Sequence, residues 1–264
     1  MDALARNVAV LMEQVAAEVV LPRYRNLAAH EVEEKSAGEL VTIADRESEL
    51  RLNEGLARLL PEAGLVGEEA CAADPALVNK LSSGLNWLVD PIDGTGNFAA
   101  GKAPFGIMIA LVDGGETQAG WLFDPLSGRL CHAARGKGAT IDGEPVRAKE
   151  SGAPLPIAGL SLLFVDPQAR QGLIDRATSR LEMVDIPRCA AEQYPRIVLG
   201  VNDLAMFERT LPWDHAPGAL FVTEAGGRVA RPDGTPYRPD QTGTGMIAAA
   251  SPAMWERAAA ILFG

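Results

Sequence analysis

The chain has 264 residues, 47% hydrophobic and 22% charged, a balance that supplies a sizeable core and excludes a disordered composition. Lys and Arg number 24 against 35 Asp and Glu, a formal charge of −11, and no basic block stands out, which argues against a nucleic-acid surface or an anionic membrane surface. Cys71, Cys131 and Cys189 are too widely spaced for a disulfide framework or a Cys-x-x-Cys pair, and fit a reducing cytoplasm.

Leu4, Val8, Leu11, Met12, Val15 and Val19 repeat with helical period, predicting an amphipathic opening helix ended by Pro22. Asp2, Arg6, Glu13 and Glu18 within it are wrong for a signal peptide, and no uninterrupted apolar run approaches membrane-spanning length, so a soluble protein is expected. Residues 30–39 are polar and read as a mobile loop. A helix is predicted over 47–60 until Pro61, with Asp45, preceded by Thr42, as its cap. A short strand at 64–67 then delivers Glu68 and Glu69. Trp87, Leu88 and Val89 read as the end of a buried strand that stops at Pro91, which cannot donate to a central ladder.

After this point the pattern is β. Short runs at 105–112, 117–123, 129–134 and 139–141, separated by turn residues, predict an antiparallel meander. Beyond residue 150 strands are expected at 160–165, 183–186, 204–207 and 246–250, and helices at 167–182, 194–200, 216–225 and 252–262. The first half reads as α+β and the second as α/β, with sheets covered by helices. One domain over 1–264 is expected, with approximate subdomains 1–150 and 151–264, because 151–156 is too short to be a free linker.

The chemistry concentrates in Trp87-Leu-Val-Asp90-Pro-Ile-Asp93-Gly94-Thr95-Gly-Asn97-Phe98. Two acids crowded at a strand-to-turn corner repel each other unless a cation sits between them, and a hard divalent ion such as Mg²⁺ suits carboxylates and a phosphate. A helix starting after Gly94 would aim free N–H groups at an anion in the same place. The same residues are also good turn formers, with Asp side chains accepting bonds from their own backbone. Glu68, Glu69, Asp45 and Asp214 recur at strand ends or helix starts, as an oxygen-rich multi-metal site requires, although each alone also reads as surface or cap. His30, His132 and His215 lack zinc spacing, and His215 reads as a hydrogen-bonding or packing group. No Gly-x-Ser-x-Gly, Gly-x-Gly-x-x-Gly or Walker A sequence is present to anchor serine-hydrolase or nucleotide chemistry.

These residues resemble the inositol monophosphatase family of metal-dependent phosphatases. Gly67-Glu68-Glu69 is similar to the family's GEE segment, and 90–95 to its DPxDGT signature, continued by Asn97, Phe98, Gly101 and Pro104. Trp213-Asp214 through Gly218, with 224–227, is similar to its C-terminal signature. The resemblance implies an α+β fold, a layered α-β-α-β-α sandwich of the inositol monophosphatase and fructose-1,6-bisphosphatase type. It also implies Mg²⁺ at two or three ions per site, sensitivity to Li⁺, a homodimer and a cytoplasmic location. It assigns Glu68, Asp90 and the Ile92 carbonyl to one metal, and Asp90, Asp93 and Asp214 to a second. Asp45 and Thr95 match the pair that orients and helps deprotonate the attacking water, with Glu68 completing the catalytic set. Asp93, Gly94 and Thr95 are the implied phosphate contacts, and Lys35 lies in the loop that closes over the metals.

Two departures bear on the substrate. The family's Gly-Ser/Thr-Ala-Ala stretch is replaced by Cys189-Ala190-Ala191-Glu192, and the acid expected seven residues before Asp214 stands at six, as Glu208. Glu208 is the nearest candidate substrate contact, with Arg188, Arg196 or Arg209 as alternatives. The expected activity is hydrolysis of a small polyol or sugar monophosphate, inositol 1-phosphate or similar. Histidinol phosphate, fructose 1,6-bisphosphate and 3′-phosphoadenosine 5′-phosphate are the alternatives, the last ranked low because Gly96-Asn97-Phe98 replaces Lys-Glu-Phe. A haloacid-dehalogenase-like phosphatase needs acids two apart, whereas Asp90 and Asp93 are three apart, and a non-catalytic binding protein would not need the full acidic set.

Overall fold

The computed structural model describes residues 2–36, 39–241 and 243–264. Helix α1 (Ala3–Val15) buries Ala5, Val8, Ala9, Met12 and Val15 on one stripe, as its spacing predicts. The coil does not stop at Pro22. It widens into a π turn over Ala16–Val20 and runs on as α2 (Leu21–Arg23), ending just past the proline. Widening the register is one way a helix absorbs a residue with no N–H to donate.

The predicted loop at 30–39 is instead largely a hairpin. Strand β1 (Val32–Ser36) pairs antiparallel with β2 (Glu39–Thr42), placing Glu33 opposite Val41 and Glu34 opposite Leu40. Residues 37 and 38 of that stretch lie outside the described residues. Helix α3 (Ile43–Leu59) starts earlier than its periodicity predicts, because Thr42 and Asp45 form a reciprocal cap: Ala44 N–H donates to Thr42 Oγ1 at 3.1 Å and Thr42 N–H to Asp45 Oδ2 at 2.8 Å. Strand β3 (Gly64–Gly67) stands where predicted and leads directly into α4 (Glu68–Ala73).

Strand β4 (Leu85–Asp93) passes through Pro91 rather than stopping there. Its pairing with β3 ends at Val89, and its register against β5 (Gly106–Asp113) shifts between Asp90, opposite Met108, and Asp93, opposite Gly106. Pro91 therefore falls in a bulge where no partner needs its N–H. The turn into α5 (Thr95–Ala99) is made by Gly94 at φ 82°, a left-handed conformation that glycine adopts without a Cβ clash. The meander follows as predicted: β6 (Glu116–Phe123), β7 (Leu130–Ala134), β8 (Gly138–Ile141) and an additional β9 (Glu144–Val146).

The remaining elements are β10 (Ile157–Ser161), α6 (Pro167–Ala177), β11 (Glu182–Val184), α7 (Ala190–Val198), β12 (Leu204–Phe207), α8 (Pro212–Glu224), β13 (Arg228–Ala230), β14 (Met246–Ala249) and α9 (Pro252–Phe263). Helix α8 begins at Pro212, a residue whose ring presets the first-turn φ, so Asp214 lies inside the first turn and is not its N-cap.

Among the described residues, one sheet has the order β3-β4-β5-β6-β7-β8-β9 and another β11-β10-β12-β14-β13. Helices α1 and α3 cover one face of the first sheet, α7 and α8 pack between the two sheets, and α6 and α9 cover the far face of the second. The result is the expected α-β-α-β-α layering. Apolar clusters fill each gap: Val8, Met12, Leu52 and Trp87 in the first, Tyr194, Phe221 and Met246 in the middle, and Leu160, Met206, Trp255 and Leu262 in the last. Each large side chain taken from water contributes about 1.5–3 kcal/mol, so the layers are held mainly by these clusters. Among the described residues, no helix is long and apolar enough to cross a membrane.

Candidate functional site

A cavity of about 520 Å³ opens where the C-terminal ends of β3 and β4 meet the first turns of α5, α7 and α8. Glu68, Asp90, Ile92, Asp93, Gly94, Thr95 and Asp214 all line it. Residues separated by up to about half the chain in sequence thus converge because a bulge, a left-handed glycine and helix starts face one point. Asp45 stands directly behind this wall, fully buried, and Thr95 Oγ1 lies 3.1 Å from Asp45 Oδ1 and 2.9 Å from the Ile92 carbonyl.

The acids sit close together. Asp90 is within hydrogen-bonding reach of both Glu68 and Asp214, yet its Oδ1 is buried without a partner. Burial first, and then the charges of Glu68, Asp93, Asp214 and Asp45, push the Asp90 carboxyl well above the usual range. Asp214 is raised in the same way by burial and by Glu68 and Asp93, with Arg209 opposing. Asp93 is raised by burial even though the Ala191 N–H, at the start of α7, donates to its Oδ2 at 2.6 Å. Burial lifts Asp45 to about 7 against the two bonds it accepts from Thr42, at 2.8 Å from N and 2.6 Å from Oγ1. Buried carboxyls held together at this density are proton- or cation-seeking groups.

Lys35, on β1, answers part of that demand. Its Nζ lies 2.7 Å from Glu68 Oε1 and 2.6 Å from Glu69 Oε1. Burial works against its charge, but the two glutamates more than offset this and raise its pKa. In this arrangement, among the described residues, no three acidic, histidine or cysteine side chains are spaced as a group that could hold a metal ion. The donor chemistry nonetheless suits a hard cation: carboxylate and carbonyl oxygens, one of them orphaned, while the lining histidine, His215, is already bonded at both ring nitrogens.

His215 illustrates the last point. Its Nε2 lies 3.0 Å from the Arg209 carbonyl, which can only accept, so Nε2 carries the proton and Nδ1 accepts from Tyr194 OH at 2.8 Å. Burial pushes its pKa down to about 3, and it stays neutral, a hydrogen-bonding strut as its position in sequence suggested. The Cys189 thiol lines the cavity but is fully buried and raised by burial and by Asp93, so it offers no nucleophilic thiolate.

Glu208 is not brought to the cavity. Its carbonyl accepts from Gly245 N at 2.8 Å, extending the β12–β14 pairing, and the neighbouring Arg209 lines the cavity in its place. Arg209 lies over the Phe164 ring, 4.1 Å from its centroid, and forms an ion pair with Glu39. Arg196 pairs instead with Glu192 at 2.8 Å and points away from the lining.

Two supporting roles escaped the sequence reading. Glu49 is buried and accepts from the backbone N–H groups of Glu69 (2.7 Å) and Ala70 (2.9 Å), holding the start of the helix that carries Glu68. Its signal was available: it stands one helical turn after Asp45, a second acid on the inward face of α3. Asn97 donates to the carbonyls of Pro104 (2.8 Å) and Pro187 (2.9 Å), tying α5 to the segment that enters α7.

Comparison with known proteins matches this architecture. The model of the inositol monophosphatase family matches residues 3–262. A fructose-1,6-bisphosphatase/inositol-1-monophosphatase of Thermotoga maritima is 31% identical over 198 residues, covering 74% of this chain and 73% of that protein. A histidinol-phosphatase of Mycobacterium tuberculosis is 35% identical over 200 residues, covering 74% and 75%. Among solved structures, an IMPase of Thermotoga maritima superposes with TM-score 0.80 at 25% identity, covering 99% of this chain and 98% of that one. The extragenic suppressor protein suhB of Bartonella henselae superposes with TM-score 0.83 at 23% identity, covering 99% of each chain, and shows the shared fold. The chain belongs to the inositol monophosphatase family.

Proposed function

We propose that the chain is a Mg²⁺-dependent phosphomonoesterase acting on a small polyol or sugar phosphate. The observation that carries this reading is the gathering of Glu68, Asp90, Asp93 and Asp214 around one cavity, beside the Thr95–Asp45 pair. Glu68, Asp90 and the Ile92 carbonyl would hold one Mg²⁺, and Asp90, Asp93 and Asp214 a second. When bound, Mg²⁺ lowers the pKa of its water, clamps the phosphate oxygens and offsets charge on the leaving alkoxide.

The chain's own residues supply the rest. Thr95 and Asp45 orient the attacking water, and Asp45, bonded to Thr95 and buried behind the wall, receives its proton. The backbone N–H groups at Gly94 and Thr95 face the phosphate, whose in-line geometry is set by the rigid turn. Lys35 would leave Glu68 when the carboxylates are loaded, and it lines the cavity with Glu39 and Leu40. The same family reading extends to Li⁺ sensitivity, a homodimer and a cytoplasmic setting.

The test is release of inorganic phosphate from inositol 1-phosphate, histidinol phosphate and fructose 1,6-bisphosphate, with and without Mg²⁺ and Li⁺. Asp90→Asn is expected to lower turnover on the order of a hundredfold or more with an unchanged circular dichroism spectrum. Turnover at the wild-type level in that variant would refute the reading.

A further inference from the structure

We propose that Arg188 and Lys102 form a subsite at the cavity mouth for a second phosphate group on the alcohol part of the substrate. The inference rests on the phosphatase reading above and concerns which esters that site selects.

Both side chains line the cavity and both are exposed at its rim. Among the described residues neither has a hydrogen-bond or ion-pair partner. The other cations of the lining are taken. Lys35 is bound by Glu68 and Glu69, and Arg209 by Glu39 and the Phe164 ring. Two free cations at one mouth match the charge of one phosphate dianion, and the arginine fork can grip two of its oxygens.

The backbone shows that this placement is held. Arg188 has φ 54°, a left-handed conformation that an arginine adopts against a steric cost and a glycine would adopt freely. Strain of this kind persists where the surroundings over-determine it. Here Asn97 does so: its side chain fixes the Pro187 carbonyl at 2.9 Å, while its own carbonyl accepts from the Lys102 N–H at 2.9 Å. One residue thus staples both cations to the α5 turn that faces the transferred phosphate. Leu163 and Phe164 are exposed apolar side chains that also line the cavity, suited to the carbon face of a sugar ring.

The experiment compares glucose 1,6-bisphosphate with glucose 1-phosphate, and fructose 1,6-bisphosphate with fructose 1-phosphate, by phosphate release in Mg²⁺. The wild-type protein is expected to prefer each bisphosphate by about tenfold or more in kcat/KM, mostly through KM, the size of one or two charge-assisted bonds. Arg188→Gln should remove most of that preference while leaving kcat/KM on the monophosphates within about twofold, Lys102→Gln should remove part of it, and Arg188→Lys should restore part. Should Arg188→Gln fail to fold, Arg188→Gly removes the charge at a position where glycine is unstrained, and the same loss is expected. An equal fall on mono- and bisphosphates would place Arg188 on the transferred phosphate and overturn the proposal, as would no change on either or no wild-type preference. A wild-type protein that releases phosphate from none of the esters would refute the hydrolase reading. Calorimetry of each pair would still judge the subsite then, tighter binding of the bisphosphate that Arg188→Gln abolishes supporting it and equal binding overturning it.

Discussion

Replacing Asp45 by asparagine should stabilise the metal-free protein at alkaline pH while it disables turnover. Asp45 is fully buried, and burial raises its carboxyl from an ordinary value of 3.8 to about 7. A raised acid folds best in its protonated form, so its contribution is fully present below pH 3.8 and is lost as pH climbs through about 7. The interval between 3.8 and about 7, at about 1.4 kcal/mol for each pH unit, sets an upper bound of about 4 kcal/mol lost by pH 8. Asparagine removes the charge but keeps an oxygen for the two bonds from Thr42 at 2.8 and 2.6 Å, and its NH₂ can donate to Thr95 Oγ1. Losing the charge weakens those bonds by about 1 kcal/mol, leaving a net gain of about 2–3 kcal/mol at pH 8 and none at pH 4. Urea unfolding in chelator across that pH range reads the difference directly, and subtracting wild type from variant removes the shared trend of the neighbouring acids. At about 2–4 °C per kcal/mol for a chain of this size, the gain is also visible as a rise in Tm. A variant no more stable than wild type at pH 8 than at pH 4 would show that Asp45 is not the strained acid described, whereas full phosphate release would show that it takes no proton.

Two further perturbations follow from the packing. A Cβ on Gly218 would stand 1.9 Å from Tyr194 Cδ2, so Gly218→Ala should force the ring aside and lower stability by about 2–3 kcal/mol in denaturant titration; an unchanged midpoint would refute the close contact. Glu49→Gln replaces the carboxylate that accepts from Glu69 and Ala70 N–H groups by an amide with one acceptor, loosening Glu68. The Mg²⁺ concentration for half-maximal phosphate release should rise about tenfold with smaller change at saturation, and an unaltered Mg²⁺ requirement would count against it.

Much of this was legible in the sequence because the elements that matter carry strong local signals. The strand at 64–67, the meander and the turn at Gly94 all appear where apolar runs and turn residues put them. The departures have local causes. Residues 30–39 read as a loop because Glu33, Glu34 and Lys35 mask the alternation of a strand tied by ion pairs to Arg46, Glu68 and Glu69. Asp214 read as a cap because the apolar run begins after it, yet Pro212 starts the helix earlier. Glu208 read as a substrate contact by counting back from Asp214. Counting along a chain cannot say which side of a strand end faces a cavity, and Arg209 took that place. Glu49 showed in sequence only as a second acid one turn after Asp45, and its partners, backbone amides twenty residues away, carry no sequence signal.

The bulge at Pro91 has a geometric consequence beyond tolerating a proline. Along an even strand, neighbours alternate sides, so residues three apart look in opposite directions. Asp90 and Asp93 are three apart, and an unbroken ladder would send one of them into the wrong layer. The slip in register between them resets the parity, so both end up on the same wall. Inserting or deleting a single residue in this interval would flip one acid through the sheet, making the odd spacing and the irregularity a matched pair that can change only together.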